Sequence, residues 1–385
     1  MMKIVQFFLL TLGVTIWLGL AGAGVSYAST SVFDVKNVEV DISGESTVNA
    51  RDKAFAKARR MAFERLAERL LTEDEIKALP QPDDAEISVL INNFEIVHEN
   101  LAPNRYVGEF SFSFKENATR QFFEGGGYRF SDIGGKAILV LPYFQEGGPA
   151  RLWSGENPWL EAWQRVDTYS EGLVPVMVPL GDVQDLSSAP ESTPLNYDQD
   201  ALLNMAERYK AEAVVIAIAT LNTETELSID LYRTDGFAPA HIKSFKASVP
   251  ENEQGEMDIK QIMRNEVREV YAFMQRNWKE QTATSAYAQK SSISVFVPFS
   301  DLGEWVRIRN ALDNVAAISE YDVASLDQNG ADVKLNYSGS YERLMLALGQ
   351  QALYIEQPNI QAGYDASGSY YAMQAAGQKP ILRKQ

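Results

Sequence analysis

Residues 136–144 read KAILVLPYF, a lysine followed by an unbroken apolar run. A strand covered by helices on both faces of a sheet carries such a run, whereas a half-exposed strand alternates. Two further apolar runs, LVPVMVPL at 173–180 and AVVIAIATL at 213–221, follow with helical patterns between them. Apolar strands separated by helices predict an α/β domain with parallel strands, which we place at residues 137–280.

The segment before this domain, residues 29–125, predicts an α+β module. The stretch VFDVKNVEVDISG alternates as a strand does, and residues 49–71 repeat small apolar side chains at helical spacing, with Asn49 as the expected cap. Two strands joined at Asn104 follow, and then a short helix that ends at glycine. The element order is strand, helix, strand, strand, helix.

The segment after the domain, residues 292–356, reads as strand, helix, two strands joined at Asn329-Gly330, helix and strand. This order predicts a ferredoxin-like split β-α-β unit. The first segment follows almost the same order, so the predicted fold combines α/β and α+β modules: a central α/β sheet flanked by two split β-α-β units. Residues 357–385 are rich in Gly, Ser, Ala, Tyr and Gln and predict a disordered tail.

The amino terminus has the pattern of a signal peptide. Lys3 precedes an apolar run from Ile4 to Val25 and the triplet Ser26-Tyr27-Ala28, whose small first and third residues suit signal peptidase. We predict a signal peptide over residues 1–28, with cleavage after Ala28, and hence a periplasmic protein. The alternative is retention as a membrane anchor, because a run of ~20 apolar residues can span a bilayer. No second long apolar run follows, so we expect no membrane span after signal cleavage.

The composition disfavours several classes of function. The chain contains no cysteine, which removes disulfides, thiolate metal sites and cysteine nucleophiles. Its two histidines, His98 and His241, have no neighbours at metal-ligand spacing, and no GxSxG, HExxH or GxGxxG motif occurs. We therefore expect no metal, no cofactor and no enzymatic activity. The formal net charge of −17, or −18 once Lys3 is removed, disfavours nucleic acid as a partner.

Three of the six tryptophans lie in RLWSGENPWLEAW, residues 151–163. Asn157 suits a helix cap, and Trp159 then shares a helix face with Trp163, which indicates packing on the sheet. The alternative is an exposed platform of Trp153 and Trp159, beside Asn157, that contacts a sugar ring or an apolar side chain of a partner.

The helix predicted at 49–71 is basic, although the chain is acidic. It carries seven positive and three negative side chains between Arg51 and Arg69, a local charge of +4. Arg51, Arg59 and Arg60 are the candidate contacts for an acidic protein partner, an anionic envelope polymer or a lipid headgroup. The alternative is a solvated helix face without a ligand.

Three stretches occur together: VEVDISGESTVNARDKAFAKA at 38–58, LVLPYF at 139–144, and LW, NPW and AW within 152–163. With the signal peptide, they resemble an uncharacterised family of exported proteobacterial proteins, a domain of unknown function, over residues 32–356. The first helix also resembles that of the flagellar T-ring protein, and the LVLPYF strand with its surroundings resembles the amino-terminal domain of TolB. These architectural resemblances imply a non-enzymatic periplasmic protein that contacts larger assemblies.

Taken together, these features predict a non-catalytic periplasmic scaffold or assembly factor of the cell envelope that binds protein partners. The alternative is a protein that binds envelope glycan, either peptidoglycan or lipopolysaccharide, through surface tryptophan.

Overall fold

The structure is a computed structural model. The residues that it describes are 31–166, 172–189, 191–192, 194–196, 199–234, 239–250, 258–284, 288, 290–356, 360–364, 370–374 and 379–384. The predicted signal peptide and its cleavage site lie outside the described residues. Within the described part of the chain, no helix has the length and apolar character needed to cross a bilayer.

The first module is a three-stranded antiparallel sheet covered by helices on one face. Its elements are β1 (Asp34–Ser43), α1 (Thr47–Leu70), α2 (Glu73–Ala78), α3 (Asp84–Leu90), β2 (Ile91–Ala102), β3 (Arg105–Phe114) and α4 (Glu116–Gly125). The sheet order is β1-β3-β2, so β2 forms an edge. A face of small side chains, Ala50, Ala54, Ala58 and Ala62, is fully buried and lets α1 approach the sheet closely.

One detail of α1 differs from the prediction. The expected cap was Asn49, but the helix begins two residues earlier, and Ser46 is its cap. The Ser46 hydroxyl accepts a hydrogen bond from the Asn49 amide (3.1 Å), as a capping side chain does for the first turn.

The central module confirms the prediction of a mixed α/β fold. Its elements are β4 (Ile138–Glu146), α5 (Pro158–Arg165), β5 (Val176–Met177), α6 (Val183–Ser188), α7 (Gln199–Arg208), β6 (Ala213–Thr223), β7 (Glu226–Arg233), β8 (Ala240–Ser248) and α8 (Ile259–Thr282). The sheet order is β5-β4-β6-β7-β8. β4 is parallel to β5 and β6, while β7 and β8 continue antiparallel. Helices α5 and α8 cover one face and α7 the other, which explains the unbroken apolar run of β4.

The third module has the predicted ferredoxin-like order with one additional strand. Its elements are β9 (Lys290–Pro298), α9 (Leu302–Leu312), β10 (Ile318–Leu326), β11 (Gly330–Ser338), α10 (Tyr341–Gln350) and β12 (Leu353–Glu356). A hairpin of β13 (Ile360–Tyr364) and β14 (Tyr370–Gln374) and the strand β15 (Ile381–Lys384) follow. The sheet order is β10-β11-β9-β15-β12.

Strand β15 lies where the sequence predicted a disordered tail. It pairs in parallel with β9 and antiparallel with β12, so it separates two strands that a ferredoxin-like unit places side by side. Leu382 of β15 is fully buried in the core of this module. Burial of the Leu382 side chain stabilises the pairing of β15 with β9 and β12. The polar residues around Leu382 in the sequence do not suggest this burial.

Candidate protein-docking surface

Strand β2 is a long edge with polar backbone groups on its free side. It contains 12 residues, and all of them are exposed except Ile91 and Ile96, which are partly buried. In the described sheet β2 pairs with β3 alone. An edge of this kind can pair with another strand, because each unpaired N–H and C=O remains available. Its register shifts after Ile91 and after Ile96, and such bulges increase the local twist.

Three apolar side chains of β2 are about half exposed. Phe94 exposes 48% of its surface, Val97 52% and Leu101 54%. Phe94 lies opposite the buried Phe112 and Leu101 opposite the buried Tyr106, so both point to the face that α1 covers. The free edge of the sheet is therefore apolar on the side of α1.

Helix α1 supplies the other half of this surface. Phe55 packs edge-on against Phe94, with ring centroids 5.8 Å apart, and against Phe110 at 5.0 Å. The Arg51 guanidinium lies over the Phe55 ring, 5.1 Å from its centroid. Arg59 follows Phe55 by four residues and so lies on the same face of the helix.

We define the α1–β2 surface by six residues, of which α1 supplies four and β2 supplies two: Val48, Arg51, Phe55, Arg59, Phe94 and Leu101. The start of α1 lies against the end of β2, because the Thr47 hydroxyl donates to the Ala102 carbonyl at 3.5 Å. Exposed apolar side chains with arginines beside them have the composition found at the centres of protein–protein interfaces.

A buried tyrosine supports the α1–β2 surface from below. The Tyr106 hydroxyl donates to Glu99 Oε2 at 2.9 Å. Burial, and then the hydrogen bond to Glu99, raise the pKa of Tyr106 to about 12, while the nearby Arg51 acts in the opposite direction. Tyr106 therefore stays protonated at neutral pH and engages the Glu99 carboxylate.

The three basic candidates from the sequence separate into two groups. Arg51 and Arg59 lie on the α1–β2 surface, and the buried Nε of Arg59 has no hydrogen-bond partner among the described residues. Arg60 points elsewhere: it donates to Asp84 at 2.7 Å and to the Pro82 carbonyl at 3.1 Å. Arg60 therefore fastens α1 to the start of α3 and lies outside the α1–β2 surface.

The assignment of Trp159 and Asn157 as surface contacts needs correction, because both side chains are buried. Trp159 is fully buried, stacks edge-on against the buried Trp163 at 5.6 Å, and donates from Nε1 to the Ala217 carbonyl at 3.2 Å. Asn157 caps α5 by accepting from the Leu160 amide at 2.9 Å. The interpretation of this stretch as a helix start packed on the sheet is confirmed.

Trp153 is half-buried and differs from the platform that a sugar would need. Its Nε1 donates to the Ala189 carbonyl at 3.2 Å, and its ring faces Gly181, where a Cβ would lie 3.4 Å from it. Its backbone amide donates to Glu191 at 3.0 Å. These contacts use one ring face and the polar edge of Trp153 within the module. Glycan binding through Trp153 remains a prediction.

Solved structures that match part of the chain include two with low overall similarity to it. No family model matches the chain, and no curated protein sequence matches it. The LpoB C-terminal domain from Salmonella enterica is 19% identical to this chain, with a TM-score of 0.21. The match covers 31% of this chain and 85% of the LpoB chain. The hypothetical protein CT253 from Chlamydia trachomatis is 13% identical to this chain, with a TM-score of 0.23. The match covers 36% of this chain and 97% of the CT253 chain.

A second concave feature is a cavity of about 360 Å³ between the first and third modules. Asp132 at its wall is buried and accepts from Arg120 Nε at 2.6 Å and from Arg343 Nη2 at 3.0 Å. Arg343 also donates from Nε to the Thr282 carbonyl at 2.9 Å, and burial lowers the pKa of its guanidinium. Because these charges satisfy one another, we assign the network a role in joining the modules.

The described residues offer no alternative centre for metal chemistry. Across them, no group of three or more His, Asp or Glu side chains is arranged to hold a metal ion.

Proposed function

We propose that this protein is a non-catalytic scaffold or assembly factor of the periplasm, which binds a protein of the cell envelope at the α1–β2 surface. The observation that carries the proposal is a long edge strand on which Phe94 and Leu101 are about half exposed, with Phe55 of α1 packed against Phe94 and the Arg51 guanidinium over the Phe55 ring. The periplasmic location rests on the predicted signal peptide at residues 1–28.

Physical chemistry favours a protein as the ligand of this surface. An exposed strand edge supplies backbone hydrogen bonds, which a polypeptide can accept and donate and a small molecule cannot match in register. Aromatic side chains and arginines are enriched at the energetic centres of such interfaces. The locally positive α1 favours a short acidic segment of a protein, which can contact α1 alone. Anionic lipid and nucleic acid present extended negative charge that also meets the acidic remainder of the surface.

Photo-crosslinking in living cells tests this function. A photoreactive residue at Leu101 is expected to give a discrete adduct with one other protein. Leu203 of α7 is the matched control, because it is also an apolar side chain with 57% exposure. No adduct at Leu101 in folded, exported protein, or the same adducts from both positions, would refute the proposed function.

A further inference from the structure

The free edge of β2 lacks the positive side chains that commonly protect a strand from pairing. The edge strand β8 of the central sheet carries Lys243 and Lys246, and lysines on an edge oppose the addition of another strand. β2 contains no lysine or arginine over its 12 residues. On the side that faces away from β3, its backbone pairs with no other described strand, and the register shifts after Ile91 and after Ile96 divide it into shorter regular stretches.

The separation of Arg51 and Arg59 along α1 can be compared with the separation of two carboxylates on an added strand. They are eight residues apart on α1, which corresponds to about 12 Å along a helix. Alternate side chains of an extended strand point to one face, and residues four apart are separated by about 13 Å. Two carboxylates four residues apart on an added strand would therefore match the two arginines. The side chain midway between them would meet Phe55 and Phe94, whose rings are 5.8 Å apart.

We infer that β2 binds an extended segment of a partner protein by strand addition, and that this segment has the pattern acidic-x-apolar-x-acidic. The inference rests on the proposed function, and it specifies the chemistry of the partner. The acidic side chains pair with Arg51 and Arg59, and the apolar side chain covers Phe55 and Phe94.

A second copy of this chain is the competing occupant. Glu95 and Glu99 of β2 itself are also four residues apart, with Val97 midway. The register shift between Ile96 and His98 places Glu95 opposite Ser111 and Glu99 opposite Gly108, so these two carboxylates lie on different faces of the sheet. In addition, the Tyr106 hydroxyl already holds Glu99 at 2.9 Å on the face toward α1 of its own module. A second β2 would have to break that contact to reach an arginine across the edge, so a different protein is favoured.

The first experiment measures peptide binding to the purified exported chain by fluorescence anisotropy. The probe is a labelled peptide with two glutamates four positions apart, a leucine midway and threonine elsewhere. We expect saturable binding that weakens at high salt and weakens about fivefold when either Arg51→Gln or Arg59→Gln removes one ion pair. Lys53→Gln is the matched control: Lys53 is exposed and two residues from Arg51, so it points to another side of α1. It is expected to leave the affinity unchanged.

Backbone methylation of the same peptide tests strand addition. Only alternate amides of an added strand face β2, because the other amides face outward. Methylation of one alternate set is expected to abolish binding, and methylation of the other set is expected to preserve it. Equal effects of the two sets would show that the peptide does not bind as a strand.

Two further results would overturn the inference. The first is a peptide that does not bind although Leu101 still crosslinks to a protein in cells, in which case the proposed function stands without strand addition. The second is a dimer in sedimentation that Val97→Lys disrupts while Val323→Lys does not, because that result assigns the edge to a second copy. Val323 of the edge strand β10 is a suitable control, since it exposes 44% of its surface.

Discussion

At the scale of single residues, burial separates the side chains that hold the fold from those that remain available. Trp159 and Trp163 share a helix face, as their spacing indicates, and that face is buried. Arg51 and Arg60 belong to the same basic helix, but only Arg60 is fully used by hydrogen bonds within its module. Sequence spacing predicts which side chains share a face, whereas the partner of each face depends on tertiary packing.

Tyr106 leads to a prediction about alkaline pH. The folded protein holds the phenol proton with a pKa of about 12, above the ordinary value near 10. Between pH 10 and 12 the unfolded chain therefore releases this proton before the folded protein does. The stabilisation is complete below pH 10 and is lost as the pH rises through this window.

Chemical unfolding between pH 9 and 12 measures this dependence. Tyr106→Phe is expected to reduce the loss of unfolding free energy across the window, because the variant has no buried phenol to ionise. Tyr354→Phe is the control, since Tyr354 is at the surface of the third module. The same pH dependence in Tyr106→Phe and in the natural protein would contradict the assignment.

At the scale of elements, strands with clear patterns are predictable and strands defined by pairing are not. The apolar run 136–144 predicts β4, because coverage on both faces leaves no polar positions. The run 173–180 gives only the two-residue β5, because Pro175 and Pro179 have no N–H to donate to a neighbouring strand. β8 lacks a strong alternating pattern and was not predicted. The position of β2 at an edge follows from sheet order, which the sequence does not encode locally.

The strand β15 leads to a prediction about the end of the chain. Leu382 is fully buried between neighbours from β9 and β12. Leu382→Ala is expected to lower the unfolding free energy by about 2–5 kcal/mol, because it removes buried methyl groups and leaves a cavity. Urea unfolding followed by tryptophan fluorescence measures this change. Leu203→Ala is expected to have little effect, because Leu203 is exposed. Equal stability of the two variants would show that β15 does not contribute to the core.

At the scale of the whole molecule, polar contacts join modules that the sequence presents as separate segments. Lys279 near the end of α8 donates to the carbonyls of Glu68 and Leu71 in the first module, at 2.9 and 2.7 Å. Trp278 donates from Nε1 to the Ile133 carbonyl at 2.7 Å. The sequence predicts a boundary between the modules at 29–125 and 137–280, but contacts between residues far apart in the chain can be found only in the structure.

The ion pair of Asp132 and Arg343 is another of these connections, and both of its side chains are almost completely buried. Asp132→Ala leaves the Arg343 charge buried without its carboxylate and is expected to cost about 3–5 kcal/mol of unfolding free energy. Removal of both charges by Asp132→Ala with Arg343→Met is expected to cost less than the two single changes added together. Asp41→Ala, which breaks the exposed pair with Arg105, is expected to change stability little.

A double-mutant cycle measured by urea unfolding gives the coupling between Asp132 and Arg343. A large coupling would mean that the first and third modules unfold as one unit, since neither charge can be exposed without the other losing its partner. The orientation of the α1–β2 surface relative to the rest of the protein then depends on this buried pair. Additive effects of the single changes would instead mean that other contacts satisfy each charge, Arg120 for Asp132 and the carbonyls of Thr282 and Ser338 for Arg343.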